Sequence, residues 1–222
     1  MTRVKICGVR NFEDARDAVL LGADAIGLNF YEKSSRYVDP DKASRIIEQL
    51  PPFVSVVGVF VNHPDPQNLE DFALSIGLHA LQLHGNETPD YCSMIQRVKV
   101  IKAFRVDSAF RVDSLRSYGS RTFLLDAPGL SKEPGDDTDD TFGGTGRVFD
   151  WNQVYGANAF GLIIIAGGLT PLNVPDVIEQ LHPFGVDVAS GVESSPGKKD
   201  YEKMRQFIEK VRRTDVALMG EL

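Results

Sequence analysis

The chain has 222 residues, of which 42% are hydrophobic, and this length and apolar content suit a single domain around one large core. A formal net charge of −7 excludes the strongly basic surface that binds phosphodiester backbones, so we expect no nucleic acid partner. The two cysteines, Cys7 and Cys92, are too few for a disulfide framework or for a cysteine-based zinc site.

No stretch of the sequence is apolar over the length that spans a bilayer. The first residues enter a strand-like segment without the apolar stretch of a signal peptide. We therefore expect no membrane association and a cytoplasmic location.

The first predicted element is a short strand over residues 4–7, which breaks at the next glycine and is followed by a helix beginning at Asn11. Side chains alternate along a strand, so Lys5 and Cys7 share one face. The thiol lies at the carboxyl end of this strand with Lys5 and Arg10 nearby, and cations in such a position can lower a thiol pKa and make it a usable base or nucleophile. The alternative is a small buried residue without a chemical role, which is the usual state of an unpaired cysteine.

Short apolar strands then alternate with helices whose apolar residues follow i, i+3, i+4 spacing. Further strands are predicted at residues 25–30, 55–61, 80–83, 100–104, 122–126, 161–166 and 185–189. Further helices are predicted at 40–50, 69–76, 91–98, 108–117, 171–181 and 201–211. This alternation predicts right-handed crossovers and a parallel sheet. Eight such units predict a single-domain (β/α)8 TIM barrel over residues 1–222 rather than an open sheet.

The segment over residues 127–149 interrupts this pattern with an acidic run at 135–140 and a glycine-rich run at 143–146. We expect a mobile, solvated loop and no metal site, because the fixed ligand spacing and closing glutamate of a calcium loop are missing. A short helix is expected at about 151–155.

In a barrel of this kind the active site lies at the carboxyl ends of the strands, and phosphate is bound after the seventh and eighth strands. Gly167 and Gly168 follow the seventh predicted strand, and Ser190 and Gly191 follow the eighth. Backbone N–H groups at such junctions can bind phosphate oxygens, and glycine lets the backbone approach them closely. We predict a phosphate site here, with ordinary turns as the alternative.

Three polar residues follow other strands. Asp126 ends an apolar strand, where a partly desolvated carboxyl group suits a general acid. Arg36 lies in the loop after the second strand and is a candidate for bidentate binding of a carboxylate. His84 follows the fourth strand and is a candidate for a second polar contact with a ligand. The alternatives are a turn aspartate, a solvated arginine and a structural histidine.

A thiol and a carboxyl group at a phosphate-binding barrel mouth suit the isomerisation of an aldose to a ketose. The acid opens the sugar ring by protonating its oxygen, and the base then removes the proton from C2. This chemistry requires no metal and no redox cofactor, so we expect neither.

Several short motifs occur in one order along the chain. They are Lys5-Ile6-Cys7-Gly8, Gly27-Leu28-Asn29-Phe30, Ser34-Ser35-Arg36-Tyr37, Gly58-Val59-Phe60-Val61-Asn62, Gln82-Leu83-His84-Gly85, Leu125-Asp126, Gly143-Gly144-Thr145-Gly146, Phe149-Asp150-Trp151, Ala166-Gly167-Gly168-Leu169 and the run from Asp187 to Ser194. Together they resemble the phosphoribosylanthranilate isomerase family of tryptophan biosynthesis, and they span nearly the whole chain.

The resemblance implies the substrate N-(5-phosphoribosyl)anthranilate and its Amadori rearrangement to a 1-deoxyribulose 5-phosphate. It implies that Cys7 is the general base, that Asp126 is the general acid and that Arg36 binds the anthranilate carboxylate. It also implies that the two glycine-bearing junctions hold the phosphate. The acidic insertion at 133–140 departs from the family pattern and puts closure of that loop in doubt.

Two other functions stay open at this point. A sister barrel isomerase of histidine biosynthesis performs the same rearrangement, but the resemblance there implies a carboxylate in place of Cys7. A barrel without catalytic activity that binds phosphorylated ligands is the second alternative. We expect a monomer or a homodimer.

Overall fold

Eight parallel strands close into a barrel in chain order in the computed structural model, which describes residues 1–126 and 151–220. The strands are β1 (Arg3–Cys7), β2 (Ala25–Asn29), β3 (Ser55–Phe60), β4 (Ala80–Leu83), β5 (Lys99–Arg105), β6 (Thr122–Asp126), β7 (Leu162–Ile165) and β8 (Gly185–Val188). The barrel confirms the predicted fold class. The prediction for 127–149 lies outside the described residues.

The helices are α1 (Phe12–Leu20), α2 (Pro40–Glu48), α3 (Pro66–Ile76), α4 (Pro89–Ser93), α5 (Val174–Leu181) and α6 (Tyr201–Gly220). Asn11 caps α1 as predicted, because its side-chain oxygen accepts the backbone N–H of Asp14 at 2.7 Å. Gly77 ends α3 with a positive φ of 82°. Among the described residues, no helix is long and apolar enough to cross a membrane.

The helix predicted over 91–98 is shorter than its apolar spacing indicates. It ends at Ser93, and the Glu70 carboxylate then accepts the backbone N–H groups of Gln96 at 2.7 Å and Val98 at 3.1 Å, as well as that of Arg97. A buried side chain thus replaces the carbonyl acceptors that further helical turns would have supplied.

Short 3-10 turns replace two of the other predicted helices. They cover Val112–Ser117 after β5, and Trp151–Val154 and Ala157–Ala159 before β7. The chain also forms an antiparallel hairpin that the sequence did not predict, made of β9 (Glu193–Ser195) and β10 (Lys198–Lys199).

The first strand contacts the last strand of the barrel and the last described helix where the barrel closes. β1 lies between β2 and β8, with Arg3 aligned with Gly185. Near the end of α6, Asp215 accepts the backbone N–H of Thr2 at 2.8 Å and its hydroxyl at 2.7 Å. Asp215 is 5% exposed, so this closure is protected from water.

One apolar cluster fills the barrel, and a larger one lies between the strands and the helices. The barrel is not apolar throughout, because Lys5, Gln82 and Asp187 are buried at inward positions of β1, β4 and β8. This polar group lies directly below the carboxyl ends of the strands.

Candidate active site

A single cavity at the carboxyl ends of the strands collects most of the residues predicted from the sequence. It is lined by Cys7, Arg36, His84, Asp126, Gly167, Gly168 and Ser190. Gly191 lies beside it, in a depression that it shares with Ser190, Thr170 and Lys203. The assembled cavity agrees with the predicted position of the site, while the role of each residue stays a prediction.

The Cys7 side chain is buried and projects inward at the end of β1. Gly27 on β2 makes room for it, since a Cβ atom there would lie 2.8 Å from the sulfur. The cations that the sequence places near this thiol favour a lower pKa, but their effect is the smaller one. Burial and the charge of Asp187 raise its pKa, and they outweigh the opposing effects of Lys5 and Lys199.

Asp126 ends β6 and is 3% exposed. Its Oδ2 lies 3.1 Å from Nε2 of His84. The other ring nitrogen of His84, Nδ1, lies 2.8 Å from the amide nitrogen of Gln82. The candidate acid therefore contacts His84, and His84 in turn contacts Gln82.

Arg36 is held by two hydrogen bonds to one carboxylate. Its Nε and Nη2 donate to Glu193 at 2.9 and 2.7 Å, and Nζ of Lys199 donates to the same carboxylate at 2.9 Å. Gly8 has a φ of 76°, and a Cβ atom there would collide with the Arg36 side chain. This arrangement fixes the plane of the guanidinium group at the cavity wall.

Glu193 carries its charge in a nearly dry site. Burial favours the neutral form, but the hydrogen bond from Arg36 and the charge of Lys199 outweigh it and lower the pKa of this carboxyl group. The Arg36 side chain is 16% exposed and that of Glu193 4% exposed. The pair is therefore an internal part of the site and not a surface ion pair.

Gly167 and Gly168 both adopt positive φ, at 86° and 62°. Asn173 connects this turn to the segment that precedes α5, because its amide donates to Gly168 O at 2.9 Å and accepts Thr170 N–H at 2.8 Å. Gly191 follows β8, and a Cβ atom there would collide with the carbonyl oxygen of Leu169. The two junctions thus pack tightly against each other, which is suitable for a shared anion site.

Sequence reasoning missed the roles of Gln82, Asp187, Glu193 and Lys199. Two of them had a signal, because Gln82 and Asp187 are polar residues within otherwise apolar strands. Glu193 had none, because its partner Arg36 is 157 residues away in the sequence. Within the described residues, no group of three or more His, Cys, Asp or Glu side chains is arranged to hold a metal ion.

A sequence model of the family described as N-(5'phosphoribosyl)anthranilate (PRA) isomerase matches residues 4–210. The chain is 45% identical over 212 residues to a protein of Geobacter sulfurreducens named N-(5'-phosphoribosyl)anthranilate isomerase, covering 96% of this chain and 99% of the relative.

The fold agrees with the crystal structure of phosphoribosyl anthranilate isomerase from Thermotoga maritima at a TM-score of 0.82 and 42% identity, covering 96% of this chain and 100% of the other. A second structure of such an isomerase, in complex with reduced 1-(o-carboxyphenylamino)-1-deoxyribulose 5-phosphate, has a TM-score of 0.80 and 40% identity with the same coverage. A barrel whose mouth joins a buried thiol, a carboxyl group and a fixed arginine, matched over nearly its whole length, belongs to the phosphoribosylanthranilate isomerase family.

Proposed function

We propose that this chain converts N-(5-phosphoribosyl)anthranilate into 1-(2-carboxyphenylamino)-1-deoxy-D-ribulose 5-phosphate, a step of tryptophan biosynthesis. The observation that carries the proposal is the meeting of Cys7 and Asp126 in one cavity of a chain that belongs to this family. The ligand of the related complex is a reduced form of that product and bears the carboxylate and the phosphate that the site is suited to bind.

The reaction begins when Asp126 donates its proton to the ring oxygen of the ribose. The C1–O bond breaks, its electron pair stays on the oxygen, and the nitrogen lone pair forms an iminium group at C1. The Cys7 thiolate then removes the proton from C2, and those electrons neutralise the iminium as an enolamine. Tautomerisation of the enolamine, with protonation at C1, gives the ketone.

Lys5 supports the thiolate that this step requires. Its side chain lies on the same face of β1 as Cys7 and carries a positive charge although it is buried. Burial opposes that charge, but the nearby Asp187 and Cys7 outweigh burial and raise the pKa of Lys5. The Lys5 cation stabilises the thiolate form of Cys7 through its charge.

Binding follows from the two ends of the substrate. Nε and Nη2 of Arg36 point at Glu193, so the Nη1 side of the guanidinium group is the side that binds the anthranilate carboxylate. The backbone around Gly167, Gly168, Ser190 and Gly191 binds the phosphate.

The test is steady-state turnover of freshly generated phosphoribosylanthranilate, followed by the loss of its fluorescence. We expect Cys7→Ser and Asp126→Asn each to lower kcat roughly 10²-fold or more, and Arg36→Met mainly to raise KM. Cys92→Ser is the matched control, because Cys92 is also buried but lies outside the cavity.

Full activity in Cys7→Ser would contradict the assignment of the base. Phosphate binding without turnover in the wild type would favour a ligand-binding barrel, and turnover of the histidine-pathway substrate would favour the sister isomerase. Cytoplasmic location and a monomeric or homodimeric state stay predictions, the latter testable by sedimentation.

A further inference from the structure

A chain of hydrogen bonds runs across the inside of the barrel and ends at the candidate acid. Nζ of Lys5 donates to Oε1 of Gln82 and to Oδ1 of Asp187, both at 2.9 Å. Nε2 of Gln82 lies 2.8 Å from Nδ1 of His84, and Nε2 of His84 lies 3.1 Å from Oδ2 of Asp126. Lys5 and Gln82 are 4% and 1% exposed, so water does not compete for the contact between them.

The donor-to-acceptor direction of this series of hydrogen bonds is set at Lys5. A lysine ammonium group can only donate, so the Gln82 atom that faces Lys5 must be the carbonyl oxygen. The amide group of Gln82 must therefore face His84 with its NH2. Rotating the amide by half a turn would place its NH2 group against the Lys5 ammonium group, so that two buried donors would face each other.

The amide orientation in turn determines the state of the imidazole. An NH2 group can only donate, so Nδ1 of His84 must accept and carries no proton. The ring proton is then on Nε2, which donates to Oδ2 of Asp126. We propose that Gln82, oriented by Lys5, is a positioning residue that holds His84 in the neutral Nε2–H tautomer facing the general acid Asp126.

This tautomer has a direct consequence for proton transfer, and that consequence rests on the proposed function. With Oδ2 accepting from His84, the acidic proton of Asp126 is favoured on Oδ1, the oxygen that His84 does not contact. After the proton has moved to the ribose oxygen, the same N–H stabilises the new carboxylate. The opposite tautomer would present a lone pair at Nε2, and it would accept the acidic proton in place of the substrate.

The experiment is 15N NMR of the ring nitrogens of the ligand-free protein, with His84 assigned from the signals lost in His84→Gln. We expect Nδ1 to show the shift of an unprotonated nitrogen and Nε2 that of a protonated one. In Gln82→Glu, the new carboxylate can only accept, so Nδ1 should become protonated. In Gln82→Met, which keeps the length of the side chain but not its polar group, a mixture of both tautomers is expected.

Kinetics provide the second measurement. Gln82→Met should lower kcat roughly tenfold or more, as for a misdirected acid, with KM changed less than kcat. His79→Gln is the control, because the Nδ1 atom of His79 also accepts a hydrogen bond, from the backbone of Val56, but lies outside the cavity.

The outcomes separate this inference from the proposed function. A protonated Nδ1 in the wild type, or an unchanged His84 spectrum in both Gln82 variants, would overturn the inference even if the enzyme turns over its substrate. The expected spectra with an inactive wild type would retain the tautomer but reject the proposed reaction. The wild-type spectrum decides the tautomer even if one variant does not fold.

Discussion

Replacing Glu193 by glutamine tests whether the ion pair behind the cavity wall determines the position of Arg36. The substitution keeps the shape of the side chain but removes the negative charge that Arg36 and Lys199 share. It also replaces one carboxylate oxygen, which accepts from a cation, by an NH2 group, which can only donate. The buried Lys199 and the half-buried Arg36 would then face each other across a neutral amide.

The magnitude follows from the burial of this carboxylate. A hydrogen bond to a charged group contributes about 1.5–3 kcal/mol, and Glu193 accepts two from Arg36 and one from Lys199. Its side chain is 4% exposed, so solvent cannot replace them. Removing one partner of a buried pair costs about 3–5 kcal/mol, and we expect a loss of that size in the free energy of unfolding.

Urea unfolding and steady-state kinetics measure the two effects. The urea midpoint should fall with an unchanged m value, and KM should rise more than kcat falls, because Arg36 loses its orientation. Glu209→Gln is the matched control, because Glu209 pairs with Arg205 on the surface and is 43% exposed. That variant should leave the midpoint nearly unchanged. A Glu193→Gln protein with wild-type stability and KM would refute the reasoning.

The same carboxylate predicts a pH dependence. Its pKa in the folded protein is lowered from 4.5, mainly because Arg36 and Lys199 outweigh burial. The stabilisation is therefore fully present above about pH 4.5 and is lost as the pH falls through the lower folded value. In Glu193→Gln the acid limb of the stability profile should be flatter, and an unchanged limb would contradict the assignment.

Three further changes have defined outcomes. Glu70→Ala removes the acceptor of three consecutive backbone N–H groups and should cost about 3 kcal/mol or more in urea unfolding. In the wild type, Nζ of Lys102 lies 2.7 Å from the buried carboxylate of Glu87, and Lys102→Met removes this cation. The free energy of unfolding should fall by about 3–5 kcal/mol. The value of kcat should also fall, because this pair holds the loop after β4. In a Cys92→Ser background, the alkylation rate of Cys7 should keep rising with pH and reach no plateau below about pH 9, since burial and Asp187 raise the pKa of this thiol from its usual 9.0.

Each of these has an outcome that would count against it. Glu70→Gln retains one acceptor and should be intermediate, so equal losses in the alanine and glutamine variants would contradict the capping role. Combining Lys102→Met with Glu87→Gln should recover part of the stability, and additive losses would argue against a coupled pair. A Cys7 alkylation rate that reaches a plateau below pH 8 would contradict a raised thiol pKa.

The strands were predictable because a parallel barrel buries both faces of each strand, which favours largely apolar runs such as 162–165. Their ends were predictable as the location of the site for the same reason, since the change from apolar to polar residues marks the point where burial ends. The positions of Cys7 and Asp126 followed directly from these ends.

Interactions between distant segments were not predictable from local patterns. Spacing alone extended α4 to residue 98, whereas the tertiary contact with Glu70 ends it at Ser93. The sequence also placed Lys5 near Cys7, but it could not show that burial and Asp187 outweigh the lysine charge and raise the pKa of the thiol. The burial of a side chain and the identity of its distant partners depend on the assembled barrel, and they cannot be inferred from the periodicity of the sequence.

The closure of the barrel by its two ends has a consequence for how the protein is made. During synthesis β1 emerges before its second neighbour, β8, which begins at residue 185, and before Asp215, which anchors Thr2. Until those residues leave the ribosome, one edge of β1 has no partner strand and can pair with another nascent chain. The contact between Asp215 of α6 and Thr2 therefore fixes the first strand only after α6 has been made. Ribosome-bound chains that stop before residue 185 should depend on chaperones much more than chains that extend past 215.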